Sequence, residues 1–130
     1  MSAAYIDTSF LVAILFGEPQ AAALGRRLRQ YAPLLAGDLL RAEVLSAATR
    51  EHVPLDRLAP ALGAVSLVLP DRSLESEMLE VLHQGQLRGA DLWHLACALF
   101  VAGEARAELV FLSRDRAQRA VAGRLGLAPP

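Results

Sequence analysis

The chain contains no lysine: all 13 of its basic residues are arginine. Mechanisms that depend on an ammonium group or a Schiff base are thereby excluded. A single cysteine, Cys97, rules out an intramolecular disulfide and any all-thiolate metal centre. It lies in the apolar run Leu95-Ala96-Cys97-Ala98-Leu99, where a free thiol behaves as a small hydrophobe. Aromatic residues make up only 5% of the sequence, so Ala, Leu and Val must build the core. Neither sign of charge dominates. The 13 bases stand against 14 acids, a formal net charge of −1, which argues against capture of a polyanion by bulk attraction. A local basic rim is compatible with that balance. The apolar run Phe10 to Phe16 is too short to span a bilayer, and Met1-Ser2-Ala3-Ala4 carries no basic leader region. The expected compartment is the cytoplasm, with no membrane partner.

What is present is apolar and periodic. With 54% hydrophobic and 21% charged residues among 130, the chain has enough apolar side chain for one core, and one domain over 1–130 is expected. Short apolar runs alternate with longer helical stretches, the pattern of an α/β protein with a mostly parallel sheet. Ala3 to Ile6 reads as a first strand ending at Asp7. A helix follows from Thr8 or Ser9 to Phe16, broken by Gly17 and Pro19. Gln20 to Tyr31 reads as a second helix and Leu34 to Ala36 as a very short strand. Leu40, Val44, Ala47 and Ala48 recur at helical spacing and predict a helix over 38–51. One helix is expected over 55–64 after Pro54, then a buried strand over 65–69. Ser73 to Gln84 reads as an amphipathic helix stopped by Gly85. Residues 91–102 are apolar almost all round, which predicts a helix buried between the sheet and other helices. Leu109 to Leu112 is the clearest strand, and a last helix runs to about Arg124. Leu127 to Pro130 leaves room only for the stub of a further strand.

Four carboxylates stand where packing does not require them. Asp7 ends the first strand, Asp115 follows the last strong one, Asp91 begins the most apolar helix, and Glu43 flanks the apolar face of its own. In open parallel sheets, ligands bind beyond the carboxyl ends of the strands. Carboxylates that converge in a partly desolvated cleft either raise a pKa or recruit a cation. No lysine is available, and a hard divalent cation such as Mg²⁺ takes oxygen ligands and retains several waters. The chemistry this predicts is hydrolysis of a phosphodiester or phosphomonoester. Each residue also has a structural role open to it. Asp7, Asp91 and Asp115 could cap helices, and Glu43 could pair with Arg50 along its helix. His94 could be a hydrogen-bonded core histidine or a metal ligand, and Trp93 reads as packing.

Four segments carry a family resemblance. They are Tyr5-Ile6-Asp7-Thr8-Ser9-Phe10-Leu11-Val12, Arg41-Ala42-Glu43-Val44, Gly89-Ala90-Asp91-Leu92-Trp93-His94-Leu95-Ala96 and Phe111-Leu112-Ser113-Arg114-Asp115-Arg116. In this order and spacing the chain resembles a PIN-domain ribonuclease, specifically the VapC-type toxins of toxin–antitoxin pairs. Ser113 stands where that family often has Thr, which keeps the hydroxyl. The resemblance implies a parallel sheet of about five strands, order 3-2-1-4-5, surrounded by helices. It implies that Asp7, Glu43, Asp91 and Asp115 line one pocket. Asp7 and Asp91 would be direct ligands of Mg²⁺ or Mn²⁺. Glu43 and Asp115 would hold metal waters, a second ion or the attacking water, with Ser9 and Ser113 orienting carboxylates or waters. The implied activity is metal-dependent endoribonuclease cleavage leaving a 5′-phosphate and a 3′-hydroxyl. The implied partners are RNA, a VapB-like antitoxin whose tail crosses the cleft, and a second copy in a homodimer. Arg88, Arg114, Arg116 and Arg119 lie near Asp91 or Asp115 in sequence and are expected either to grip RNA phosphates or to be solvated structural arginines.

Other carboxylate-rich α/β proteins fit less well. A phospho-receiver domain relies on a lysine near its acyl-phosphate, and a haloacid-dehalogenase-type phosphatase wants an Asp-x-Asp pair plus a lysine. Here Asp7 is followed by Thr8 and Ser9. Flap-type nucleases are larger and more basic. An RNA-maturation nuclease outside toxin–antitoxin systems, or a PIN fold used only as an interaction module, remains as an alternative reading. Retention of all four carboxylates argues against the second, because an idle acidic cluster destabilises the fold.

Overall fold

The computed structural model describes residues 1–130. Four parallel strands form one sheet: β1 (Ala3–Ile6), β2 (Leu34–Gly37), β3 (Ser66–Val68) and β4 (Leu109–Leu112), in the order β3-β2-β1-β4. The expectation of about five strands is corrected to four. The fifth shrinks to one bridge, Val110 against Ala128, beside β4. Ala128 N–H donates to the Leu109 carbonyl (2.9 Å). Pro129 and Pro130 follow, and without amide hydrogens they cannot extend the ladder.

Alternation along the strands sends side chains to two cores. Ala4, Ile6, Val110 and Leu112 face one, and Tyr5, Leu109 and Phe111 face the other. Both faces are covered, as a parallel sheet requires. On the first lie α1 (Thr8–Leu15), α2 (Ala21–Leu28), α3 (Leu39–Arg50) and α4 (Ala59–Gly63), which supply Phe10, Leu11, Leu24, Val44 and Leu62. On the second lie α5 (Glu75–Gln84), α6 (Gly89–Ala102) and α7 (Arg116–Arg124), with Val81, Leu95 to Leu99 and Val121 inward. Tyr5 stacks on Phe111 at 5.7 Å between ring centres.

Two element boundaries differ from expectation for identifiable reasons. The single helix expected over 55–64 is a 3₁₀ turn, Leu55–Arg57, followed by α4. Pro60 lacks the amide hydrogen an uninterrupted helix would use, so it is accommodated only in a first turn. α6 begins at Gly89, after the extended Arg88, so Asp91 lies inside its first turn. Cys97 is buried in α6, and burial pushes its thiol up to about 11, the behaviour of an inert core residue.

The end of β2 meets β1 at a tight contact that glycine accommodates best. The Gly37 N–H donates to Tyr5 Oη (2.8 Å), and a Cβ at this position would stand 3.0 Å from that oxygen and 3.4 Å from Cys97 Sγ. Gly37→Ala is therefore expected to destabilise the fold by about 1–3 kcal/mol. Gly63→Ala, whose Cβ would meet open space at a helix end, is expected to be neutral or stabilising by up to about 1 kcal/mol. Urea unfolding of the two variants checks the contrast, and equal midpoints would refute the contact.

Candidate active site at the carboxyl edge of the sheet

β1 lies between β2 and β4. The chain builds outward from β1 through β2 to β3, then returns to place β4 on its other side. The crevice at such a reversal is where α/β sheets bind ligands. Here it is a cleft of about 520 Å³ whose lining includes Asp7, Ser9, Glu43, Arg50 and Asp91.

Asp7 is 4% exposed and its carboxylate is fixed at both oxygens. Oδ2 accepts from Ser9 N (3.0 Å) and Ser9 Oγ (2.6 Å), and Oδ1 accepts from Gln118 Nε2 (3.2 Å). The first of these bonds makes Asp7 the N-cap of α1. Capping and cleft lining are thus one arrangement: the cap holds the carboxylate in place. Ser9 Oγ also accepts from Arg114 N (3.0 Å), tying the ends of β1 and β4 together.

Glu43 reaches the cleft from α3. Its Oε1 accepts from Thr8 Oγ1 (2.7 Å) and meets His94 Nε2 at 2.7 Å. The pairing with Arg50 does not form. His94 is 0% exposed, and its Nδ1 lies 3.0 Å from Tyr5 Oη. The Gly37 amide donates to that phenol oxygen, which leaves the phenol proton to point at Nδ1 and, in the neutral ring, Nε2–H to point at Glu43. His94 is the hydrogen-bonded core histidine of the two readings. Burial raises the Glu43 pKa, but the bonds from His94 and Thr8 outweigh it and hold the carboxyl below its ordinary range. Its Oε2 stays uncommitted.

Asp91 is the opposite case. No hydrogen bond offsets the burial that raises its pKa, and the charges of Asp7, Asp115 and Glu43 push it further up, against a smaller opposing effect of His94. Asp115 is close enough to act on Asp91, yet it does not line the cleft. Its Oδ1 caps α7 by accepting from Gln118 N (2.8 Å). Ser113 is buried beneath the cleft. Its hydroxyl donates to Gln118 Oε1 (2.7 Å) and accepts from Asp115 N (2.9 Å).

The four rim arginines do not line the cleft. Arg114 pairs with Glu18 at 3.3 Å, Arg88 is the exposed residue before α6, Arg116 opens α7 on its exposed side, and Arg119 lines a separate cavity beside Pro129. Arg50 is the basic residue that does line it, held only by a 3.8 Å contact to Glu51. Sequence reasoning also missed Gln118, Tyr5 and Thr8. Asp115 and Gln118 stand at capping-box spacing, but that signal places the glutamine outside, reaching back to the cap amide. Ser113 occupies that amide instead, and Gln118 turns inward.

No three Asp, Glu, His or Cys side chains gather closely enough to enclose a metal ion. Mg²⁺, however, is ordinarily held by one or two carboxylates with water completing its shell. The unbonded carboxylate of Asp91 and the remaining lone pair of Asp7 Oδ1 fit that requirement. The destabilised charge on Asp91 is what a cation would relieve.

The PIN domain family matches residues 4–124. The chain belongs to the PIN domain family. Over 78 residues this PIN domain is 41% identical to a thymidylate kinase of Thermomicrobium roseum (strain ATCC 27502 / DSM 5159 / P-2), a match covering 57% of the chain and 34% of that protein. The chain therefore spans about a third of the length of the curated relative it matches. The kinase name describes that protein, of which the match covers only about a third. No solved structure matches. No helix is long and apolar enough to cross a membrane.

The raised pKa of Asp91 sets a pH dependence. Because its folded-state pKa lies above the unfolded value, the ionised carboxylate weakens the fold at neutral pH, and protonation on acidification relieves this. Metal-free Asp91→Asn is expected to melt above the unsubstituted chain at pH 7. Its advantage should shrink as the pH falls through the raised range and vanish below the ordinary aspartate value. Thermal melts across that range check this, and a variant that melts lower at pH 7 would contradict it.

Proposed function

We propose that the chain is a divalent-metal-dependent endoribonuclease that hydrolyses RNA phosphodiester bonds, acting as the toxin of a VapBC-type pair. The observation that carries the reading is the cleft itself: Asp7, Glu43 and Asp91 face it together, and Asp91 has no protein partner for its charge. Membership of the PIN family, whose members are generally metal-dependent nucleases, supports it.

Within that reading the residues divide the work. Asp7, locked by Ser9 and Gln118, and Asp91, free of partners, would hold Mg²⁺ or Mn²⁺. The ion, when bound, stabilises the negative charge of the phosphate and acidifies water. Thr8 and His94 occupy Oε1 of Glu43 and leave Oε2 without a hydrogen bond, so Oε2 would take a proton from the attacking water. Asp115 acts on the site through its charge and through its cap of α7. In-line attack leaves a 5′-phosphate and a 3′-hydroxyl. Arg50 supplies the cation that the cleft lining offers to a neighbouring RNA phosphate. The proposed partners are RNA, a VapB-like antitoxin that lays an arginine-bearing tail across the same carboxylates, and a second copy of the chain.

Asp7→Asn and Asp91→Asn are each expected to reduce RNA cleavage by more than the roughly 10–100-fold that loss of an outer partner of a metal ligand costs. Chelation should abolish cleavage, and Mg²⁺ or Mn²⁺ should restore it. Wild-type rates in either variant would overturn the assignment. Arg50→Gln should raise KM, leave kcat within about threefold and reduce the salt dependence of RNA binding by the equivalent of about one phosphate contact. An unchanged salt slope would remove Arg50 from the RNA interface.

A further inference from the structure

Gln118 is 0% exposed, on the inward face of α7 with Val121 and Ala122. Its hydrogen-bonding groups are all engaged around the site. Nε2 donates to Asp7 Oδ1 (3.2 Å) and to the Asp91 backbone carbonyl (3.3 Å). Oε1 accepts from Ser113 Oγ (2.7 Å), and the backbone N–H donates to Asp115 Oδ1 (2.8 Å). One residue thus touches three of the four acidic positions, which belong to three different parts of the chain.

Packing does not call for this. An apolar side chain of similar length would fill the space, although it would leave the Ser113 hydroxyl and the Asp91 carbonyl without this partner. Packing cannot, however, fix the rotamer of Asp7 or hold the first turn of α6 against the end of β1. Those two elements carry like charges that repel across the cleft. A lysine or arginine in this place would compete with a cation for Asp7, whereas an amide donates hydrogen bonds and adds no charge.

We infer that Gln118 is a positioning residue of the site: a neutral double donor that holds Asp7 and the Asp91 turn at a fixed separation, so that both can serve one cation. The inference rests on the nuclease reading above. It assigns Gln118 no contact with substrate.

Gln118→Met keeps the length of the side chain and removes its donors. Mg²⁺ binding, titrated calorimetrically on the full chain without RNA, is expected to weaken by about 10–100-fold. The value of kcat should fall by a similar factor while KM for RNA stays within about twofold. A side chain that only fills space would alter the melting temperature and leave both quantities unchanged. A folded Gln118→Met protein with wild-type Mg²⁺ affinity and kcat would therefore overturn the inference. If methionine is not tolerated, Ser113→Ala leaves Gln118 in place and frees its amide from the hydroxyl that orients it. A smaller loss in the same two quantities supports the role, and unchanged values overturn it. The wild-type titration separates the two readings. A wild-type chain that neither binds Mg²⁺ nor cleaves RNA removes the nuclease reading and this inference together, whereas an active wild type matched by Gln118→Met removes the inference alone.

Discussion

Asp7, Glu43 and Asp91 repel one another across a single cleft, and the polar groups around them are placed in answer to that repulsion. Two of the three are held by hydrogen-bond donors. Asp7 takes hydrogen bonds from Ser9 and Gln118, and Glu43 takes them from Thr8 and His94. Asp91 is given none and bears the cost as a raised pKa. The asymmetry is informative. A fold under selection for stability alone would cap or neutralise Asp91, whereas a site that awaits a cation leaves one carboxylate open.

The buried side of the same arrangement reaches far into the sheet. Glu43 leans on His94, His94 on Tyr5, and Tyr5 on the Gly37 amide. The orientation of one cleft carboxylate is thus tied to a close approach of β1 and β2, where a Cβ in place of glycine would crowd Tyr5 Oη at 3.0 Å. Packing and site are continuous here, since Tyr5 also stacks on Phe111 in the core. Such a chain polarises each successive bond, and a low-dielectric surrounding strengthens it.

Much of this was legible in the sequence. The strand ending at Asp7, the helix carrying Glu43 and the final strand before Asp115 all follow from local periodicity, and of the four carboxylates expected in one pocket the cleft gathers Asp7, Glu43 and Asp91 but not Asp115. What was not legible is long-range. Gln118 and Asp7 lie 111 residues apart, Tyr5 and His94 89 apart, and no local pattern announces a side chain that turns inward against its capping-box role. Proximity in sequence was no guide to which arginine lines the cleft. Arg114 and Arg116 adjoin Asp115, yet the cleft is lined by Arg50, whose helix enters from β2. The fifth strand was overestimated because the terminal prolines remove the donors it needed.

In the proposed reaction this cleft directs water, with a divalent cation, onto an RNA phosphodiester. Its most direct test is RNA cleavage in H₂¹⁸O with Mg²⁺, with the product ends read by mass spectrometry. The expected products are 3′-hydroxyl ends and 5′-phosphates carrying one ¹⁸O. Ends with a 2′,3′-cyclic phosphate, or the same products in the presence of chelator, would contradict it.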